Sequence, residues 1–461
     1  MQTEFTLIFI EDFYKVPFSL LLIYVFAFRV KAKYKYKDQL IEKYFITGLS
    51  FRLIATFVYT LVISYYYQGG DTGGFYQALK DIQLAVNNNF SILSQVYTEI
   101  KLDRTSELAA YFEYDGFGIT HLYMYHVSNY MVPRFGLPFS FLFGQSYLCI
   151  SFCCSLFAFG GCWRIFKLFY SLFPHLHKKI AVATLFLPSL LFWSSALMKD
   201  SITMGALGFF IYGFYQLFFQ KKKILINIII VTLSAFLLFY VKPYIILCAV
   251  PAFLVWAYLL LNRNIKDKGF RMFATVIFTA CTLAGSAFFM QKIASSEVAS
   301  QYATQNILKA VESQQNTYSY SPDAGSTFKA LEFDNSVGGI LKLFPLGIIN
   351  SLFRPFPWEV RSPIMALTAL EALLFLWLTI ACIRHTSFKN FRQVLSNNPS
   401  IVFCFMYSIL FAGLVGMSTL NFGTLARYKI PALPFFLIML FVILDKTGKA
   451  SPDIILHKKI F

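Results

Sequence analysis

Charge is scarce in this sequence. Asp, Glu, Lys and Arg make up 14% of its 461 residues, against 57% hydrophobic and 19% aromatic. A soluble domain cannot bury that much apolar surface, and a disordered chain needs the opposite balance. Alternating apolar and polar residues are missing too, which excludes an outer-membrane barrel. There is no GxxxxGK[ST] phosphate loop. The cysteines (149, 153, 154, 162, 248, 281, 382 and 404) lie in or beside apolar blocks, leaving no disulfide framework and no zinc spacing. The basic start of a cleavable signal peptide is absent, because Glu4, Glu11 and Asp12 stand in its place.

What the chain does have is apolar blocks of about 18–22 residues, the length that crosses a hydrocarbon core of ~30 Å. They predict an all-α, polytopic helical membrane protein with about 11 transmembrane helices, forming a single membrane domain over 1–461. The expected spans are roughly 7–28, 46–66, 138–160, 180–198, 201–219, 224–241, 244–261, 271–290, 364–383, 400–419 and 428–444. The formal charge of +17 is unevenly placed. Alternate loops, with the tail 445–461, hold 24 Lys/Arg against 5 Asp/Glu, whereas the other side holds 15 against 17. That is the positive-inside pattern. It predicts an inner-membrane protein with its N-terminus outside, its C-terminus cytoplasmic, and anionic lipid headgroups as the basic face's partner. Nucleic acid is not an expected partner.

Two long loops fall on the outer side, about 67–137 and 291–362, and loops of that length usually carry function. The first has Phe75, Leu79, Ile82 and Val86 at helical spacing, predicting an interfacial helix on the membrane surface. The second opens Ser/Gln-rich and ends LFRPFPWEVRSP. The chain contains no internal repeat.

Charges gather at the outer ends of spans. Asp71 lies in YYYQGGDTGGFYQ, Asp115 in FEYDG, Lys199 and Asp200 in ALMKDS, and Lys242 in FYVKPY. Arg354, Glu359 and Arg361 close the second loop, Glu371 follows inside a span, and Arg427 and Lys429 occupy the last outer turn. Each has a plainer role: a turn at Asp71, a hairpin end at Lys199 and Asp200, snorkelling at Lys242, an ion-pair network at Arg354, Glu359 and Arg361, packing at His121 and His126. Their convergence on one face makes them functional candidates, because charge at that depth is costly unless paired or wetted. Cations with a carboxylate at headgroup level suit a lipid-linked phosphate substrate. Lys199, Lys242, Arg354, Arg361, Arg427 and Lys429 are the candidate phosphate contacts. Asp71 is the candidate base toward an acceptor hydroxyl, and Arg427 or Lys199 the clamp on the departing phosphate. Asp71 with Asp115 is a possible divalent-metal pair.

The plan resembles the GT-C class of membrane glycosyltransferases, which includes the protein O-mannosyltransferases and aminoarabinose transferases. GGDTGGFY matches the class's acid in the first large outer loop, with Asp71 as the acid and Tyr76 as its following tyrosine. NFGTLARYKIPALPFF is similar to an Arg-Tyr-x-x-Pro-x-x-Pro pattern opening a late span. PSLLFWSSALMKDS and LFRPFPWE resemble segments of bacterial polysaccharide-cluster membrane proteins. Here the acid follows the second span and stands alone, Asp115 or Glu113 being the candidate second acid. The resemblance implies transfer of a sugar from a polyprenyl-phosphate donor to a glycan, lipid or protein acceptor. Two further expectations are an O-antigen-polymerase-like enzyme, whose arginines hold pyrophosphate, and a transporter or flippase of lipid-linked saccharides. The transporter would spread its charges through the membrane depth.

Overall fold

A computed structural model of the chain describes residues 6–35, 39–112, 123–263, 267, 269, 273, 278 and 337–447. Among the described residues every extended regular element is helical. Nine helices among the described residues are long and apolar enough to cross a membrane, and the bent pair Phe422–Tyr428 and Leu433–Lys446, at 68°, makes a tenth if it is one span. These correspond to ten of the eleven expected spans. Apart from Phe273 and Phe278, the expected span 271–290 lies outside the described residues.

Two boundaries differ from the sequence reading. The expected span 138–160 is instead Tyr147–Leu172. The apolar residues from 138 belong to an earlier helix, Val127–Phe143, which ends at Gly144 with φ of +63°. Ser146 then caps the new helix, its Oγ accepting from the Cys149 amide at 3.2 Å. The last span, expected as one helix over 428–444, breaks between Tyr428 and Leu433, where Pro431 lacks an amide to continue the ladder.

The first long loop is mostly helical, with Asp71–Asn88, Ile92–Thr98 and Val127–Phe143 inside it or overlapping its end. Phe75, Leu79, Ile82 and Val86 do share one face of a helix. That face is at most 2% exposed, and the helix packs against Val127–Phe143.

The chain groups into two compact units, Met1–Pro174 with Thr184–Pro243, and His175–Ala183 with Tyr244–Phe461. In the first, Tyr147–Leu172 is the central helix, packed by Lys199–Tyr215 and by the long helix around Arg52. In the second, Pro399–Ser418 is central, packed by Val337–Phe353 and Leu433–Lys446, with Phe403, Tyr407 and Phe435 interlocked at the contact.

Candidate functional site

The first unit assembles a polar cluster where several helices begin or end. The chain leaves the span Ile41–Tyr67 through Gln68, Gly69 and Gly70, all at positive φ. Gly70 at +73° is the residue before the helix Asp71–Asn88, and a Cβ there would be strained. This turn puts Asp71 in the first helical residue, where the helix dipole favours a carboxylate. Asp71 is partly buried, and its Oδ1 accepts from the Tyr123 hydroxyl at 3.0 Å. The Tyr123 ring also lies 5.8 Å from that of Phe75, one turn along the same helix.

Thr72 ties this helix to the next one in the cluster. Its buried hydroxyl donates to the Leu197 carbonyl at 3.2 Å and shares a 3.0 Å hydrogen bond with the Tyr147 hydroxyl. Two residues after Leu197 the helix Lys199–Tyr215 begins. Lys199 sits in its first residue, the wrong end of a helix dipole for a cation. Its Nζ donates to Ser128 Oγ at 2.9 Å. Tyr123 and Ser128 belong to one short stretch of chain, so that stretch holds both the Asp71 carboxylate and the Lys199 ammonium.

Behind Lys199 lies a buried ion pair. Lys242 Nζ donates to Asp200 Oδ1 at 2.6 Å, with 4% and 2% of the side chains exposed. Lys242, expected as a phosphate contact, therefore has its charge matched inside the protein. It fastens the start of Lys199–Tyr215 to the end of Ile224–Val241. Tyr76 is also turned inward: its hydroxyl donates to the Gln145 carbonyl, and burial raises its pKa.

Arg52 supports the cluster from below. It is 1% exposed, and Nη1 donates to the carbonyls of Leu190 and Ser194, each at 3.2 Å, and to Ser194 Oγ at 2.5 Å. Nη2 donates to Cys162 Sγ at 3.3 Å. These carbonyls end the short helix Pro188–Trp193, where a cation suits the dipole. From Ser194 the chain runs directly to Leu197, Lys199 and Asp200. The sequence marks Arg52 only as a lone charge in an apolar span, and gives no signal for Tyr123 or Tyr147 among so many tyrosines.

The second unit holds the other basic candidates. Arg354 Nε donates to both carboxylate oxygens of Glu359, at 3.0 and 3.1 Å, and its Nη1 donates to Asn350 Oδ1 at 3.2 Å. Burial pushes the Glu359 carboxyl up. The Arg354 contacts, the Phe356 amide and the Arg361 charge outweigh it and hold the group below its ordinary value. The Arg354 guanidinium lies 5.1 Å from the Phe422 ring, at the start of the short helix carrying Arg427. Lys429 is fully buried, its Nζ donating to the Arg354 carbonyl at 3.3 Å, with the buried Glu371 carboxylate acting on it electrostatically. Arg361 is exposed and Arg427 partly buried.

Asp71, Tyr76, Lys199, Asp200 and Lys242 thus belong to the first unit, and Arg354, Glu359, Arg361, Glu371, Arg427 and Lys429 to the second. Glu113, Asp115 and His121 lie outside the described residues. Among the described residues, no group of three or more His, Cys, Asp or Glu side chains gathers as a metal site. No protein-family model, curated protein or solved structure matches the chain.

Proposed function

We propose that the protein is a membrane glycosyltransferase that takes a sugar from a polyprenyl-phosphate donor, with Asp71 as general base and Lys199 as the phosphate contact. The observation that carries this reading is the Thr72–Leu197 hydrogen bond. It joins the helix starts bearing Asp71 and Lys199, while one stretch, through Tyr123 and Ser128, contacts both side chains. In the reaction, the Asp71 carboxylate takes the proton of the acceptor hydroxyl as that oxygen bonds to the sugar's anomeric carbon. The bond from that carbon to the phosphate oxygen breaks, and the phosphate leaves with the electron pair, its charge balanced by the Lys199 ammonium. Tyr123 orients the carboxylate. The Asp200–Lys242 pair and Arg52 hold the connector beneath Lys199, as positioning residues.

The test is transfer of labelled sugar from a polyprenyl-phosphate donor by the purified full-length protein. Asp71→Asn is expected to lower the rate by at least about 100-fold, within the range general bases contribute. Lys199→Gln is expected to lose on the order of 100-fold, as when an electrostatic contact to a leaving oxygen is removed. Near-wild-type transfer by folded Asp71→Asn refutes the mechanism. Movement of the intact lipid-linked sugar across a vesicle membrane, without cleavage of its glycosidic bond, identifies a transporter instead.

A second reading is favoured by the second unit, where Arg354 and Arg361 both act on Glu359 and Arg354 lies over Phe422, on the short helix that carries Arg427. There, arginines would hold the pyrophosphate of lipid-linked oligosaccharides that the enzyme joins. Loss of activity in Arg361→Gln and Arg427→Gln with indifference to Asp71→Asn selects this reading.

A further inference from the structure

The second unit contains an apolar groove of about 450 Å³, within the roughly 300–1,000 Å³ of small-ligand sites. It is lined by Leu352, Thr379, Cys382, Phe391, Phe436 and Leu440, among others. None of the charged residues proposed for sugar transfer lines it.

One wall of the groove is the ten-residue helix Phe388–Asn397, FKNFRQVLSN. Phe388 and Phe391 reach the groove, and Val394 on the same side is buried. Lys389 and Arg392 alternate with those phenylalanines and are exposed. Arg384, at the end of the preceding helix, and Lys446, three residues past the lining residue Ile443, are exposed as well. The Asp445 carboxylate beside Lys446 is paired with His175 at 2.9 Å. The helix is held at both ends, by Ser387 Oγ accepting from the Asn390 amide at 3.2 Å and by Arg263 donating to the Ser396 carbonyl. A short amphipathic helix with phenylalanines on one side and cations on the other is the form that rests at a headgroup–acyl boundary.

We propose that this groove is a specific site for an anionic phospholipid of the surrounding membrane. One acyl chain fills the apolar groove, and the phosphate is met by Arg384, Lys389 and Arg392, each next in the chain to a lining residue, with Lys446 three residues past Ile443. Charge complementarity selects the occupant: a neutral phospholipid would bury the same chain but gain nothing from four exposed cations, which attract anionic headgroups.

The test is native mass spectrometry of the full-length protein from nanodiscs holding equal parts phosphatidylglycerol and phosphatidylcholine. The wild type is expected to retain phosphatidylglycerol at least fivefold over phosphatidylcholine. Lys389→Gln with Arg392→Gln should remove that preference. Thr379→Phe, which places a ring in the groove, should lower retention of both lipids. Lys221→Gln with Lys222→Gln removes the same charge from another basic loop and should change neither. Equal retention of the two lipids by the wild type overturns the proposal. So does an equal loss in the Lys221/Lys222 control, or displacement of phosphatidylglycerol by a polyprenyl phosphate at equimolar level. Monodisperse gel filtration of the Lys389/Arg392 variant keeps its result interpretable even if Thr379→Phe fails to fold.

Discussion

Arg52 carries its charge into an apolar, membrane-length helix, and the oxygens it meets there are carbonyls and a hydroxyl at the end of another helix. Its replacement by Met removes the charge but leaves the Leu190 and Ser194 carbonyls without that donor. The connector to Lys199 should loosen, and sugar transfer should fall while the protein still inserts. Arg52→Lys, with a single ammonium, should restore only part of the activity. The Asp200–Lys242 pair allows a sharper test. Removing one partner strands the other as a buried charge, at a cost of about 3–5 kcal/mol. The double change Asp200→Leu with Lys242→Met should cost less than either single change, measured by unfolding in detergent. A double variant as unstable as the sum of the singles would contradict a mutual pair. Glu359 gives a pH signature. Its carboxyl is held below the ordinary value of 4.5, so its contribution to stability is fully present above that pH and is lost as pH falls through the lowered folded value. The melting temperature of Glu359→Gln should therefore fall less steeply below about pH 4.5 than that of the wild type.

At the level of helices, Tyr147–Leu172 and Lys199–Tyr215 approach to backbone contact at glycines. A Cβ built on Gly161 would lie 2.7 Å from the Gly205 Cα and 2.7 Å from the Met204 carbonyl oxygen. Those are backbone atoms, so the helices themselves must separate. Small residues at such crossings let helices pack where lipid supplies no hydrophobic drive. Gly160, one position along, is different: its Cβ would meet the Phe209 ring at 3.2 Å, and a side chain can yield. Gly161→Ala is expected to destabilise by about 1–3 kcal/mol, in the range for overpacking. Gly160→Ala should be near neutral. Thermal unfolding of the two variants in the same detergent checks the contrast, and equal losses would mean the crossing is not set by backbone contact. Lys199 begins the helix that Gly161 packs against, so Gly161→Ala should also depress transfer activity.

For the whole molecule, span positions were legible because length and hydropathy alone decide them, and ten expected spans meet described helices. The misplaced span at 138 shows the limit: the apolar residues of Val127–Phe143 run on to Tyr147–Leu172 with only a short glycine turn between, and hydropathy cannot see that break. Asp71 and Lys199 were legible as isolated charges at span ends. The partners of Lys242 and Arg52 were not, since Asp200 is 42 residues away and backbone carbonyls leave no mark in a sequence. Parity ties these pieces together. Between Lys222 and Lys389 the structure describes three spans, Ile224–Val241, Pro243–Arg263 and Pro363–His385, which alone would place the two lysines on opposite sides of the membrane. The positive-inside expectation puts them on the same side. That expectation needs a fourth crossing, supplied by the expected span over 271–290 or by the shorter apolar helix within Val337–Phe353. A cytoplasmic reporter fused after Lys222 and one fused after Lys389 should therefore both be active, and one inserted after Lys101 should not. Activity after Lys222 with silence after Lys389 would remove the fourth crossing and put the C-terminal half of the chain in the opposite orientation.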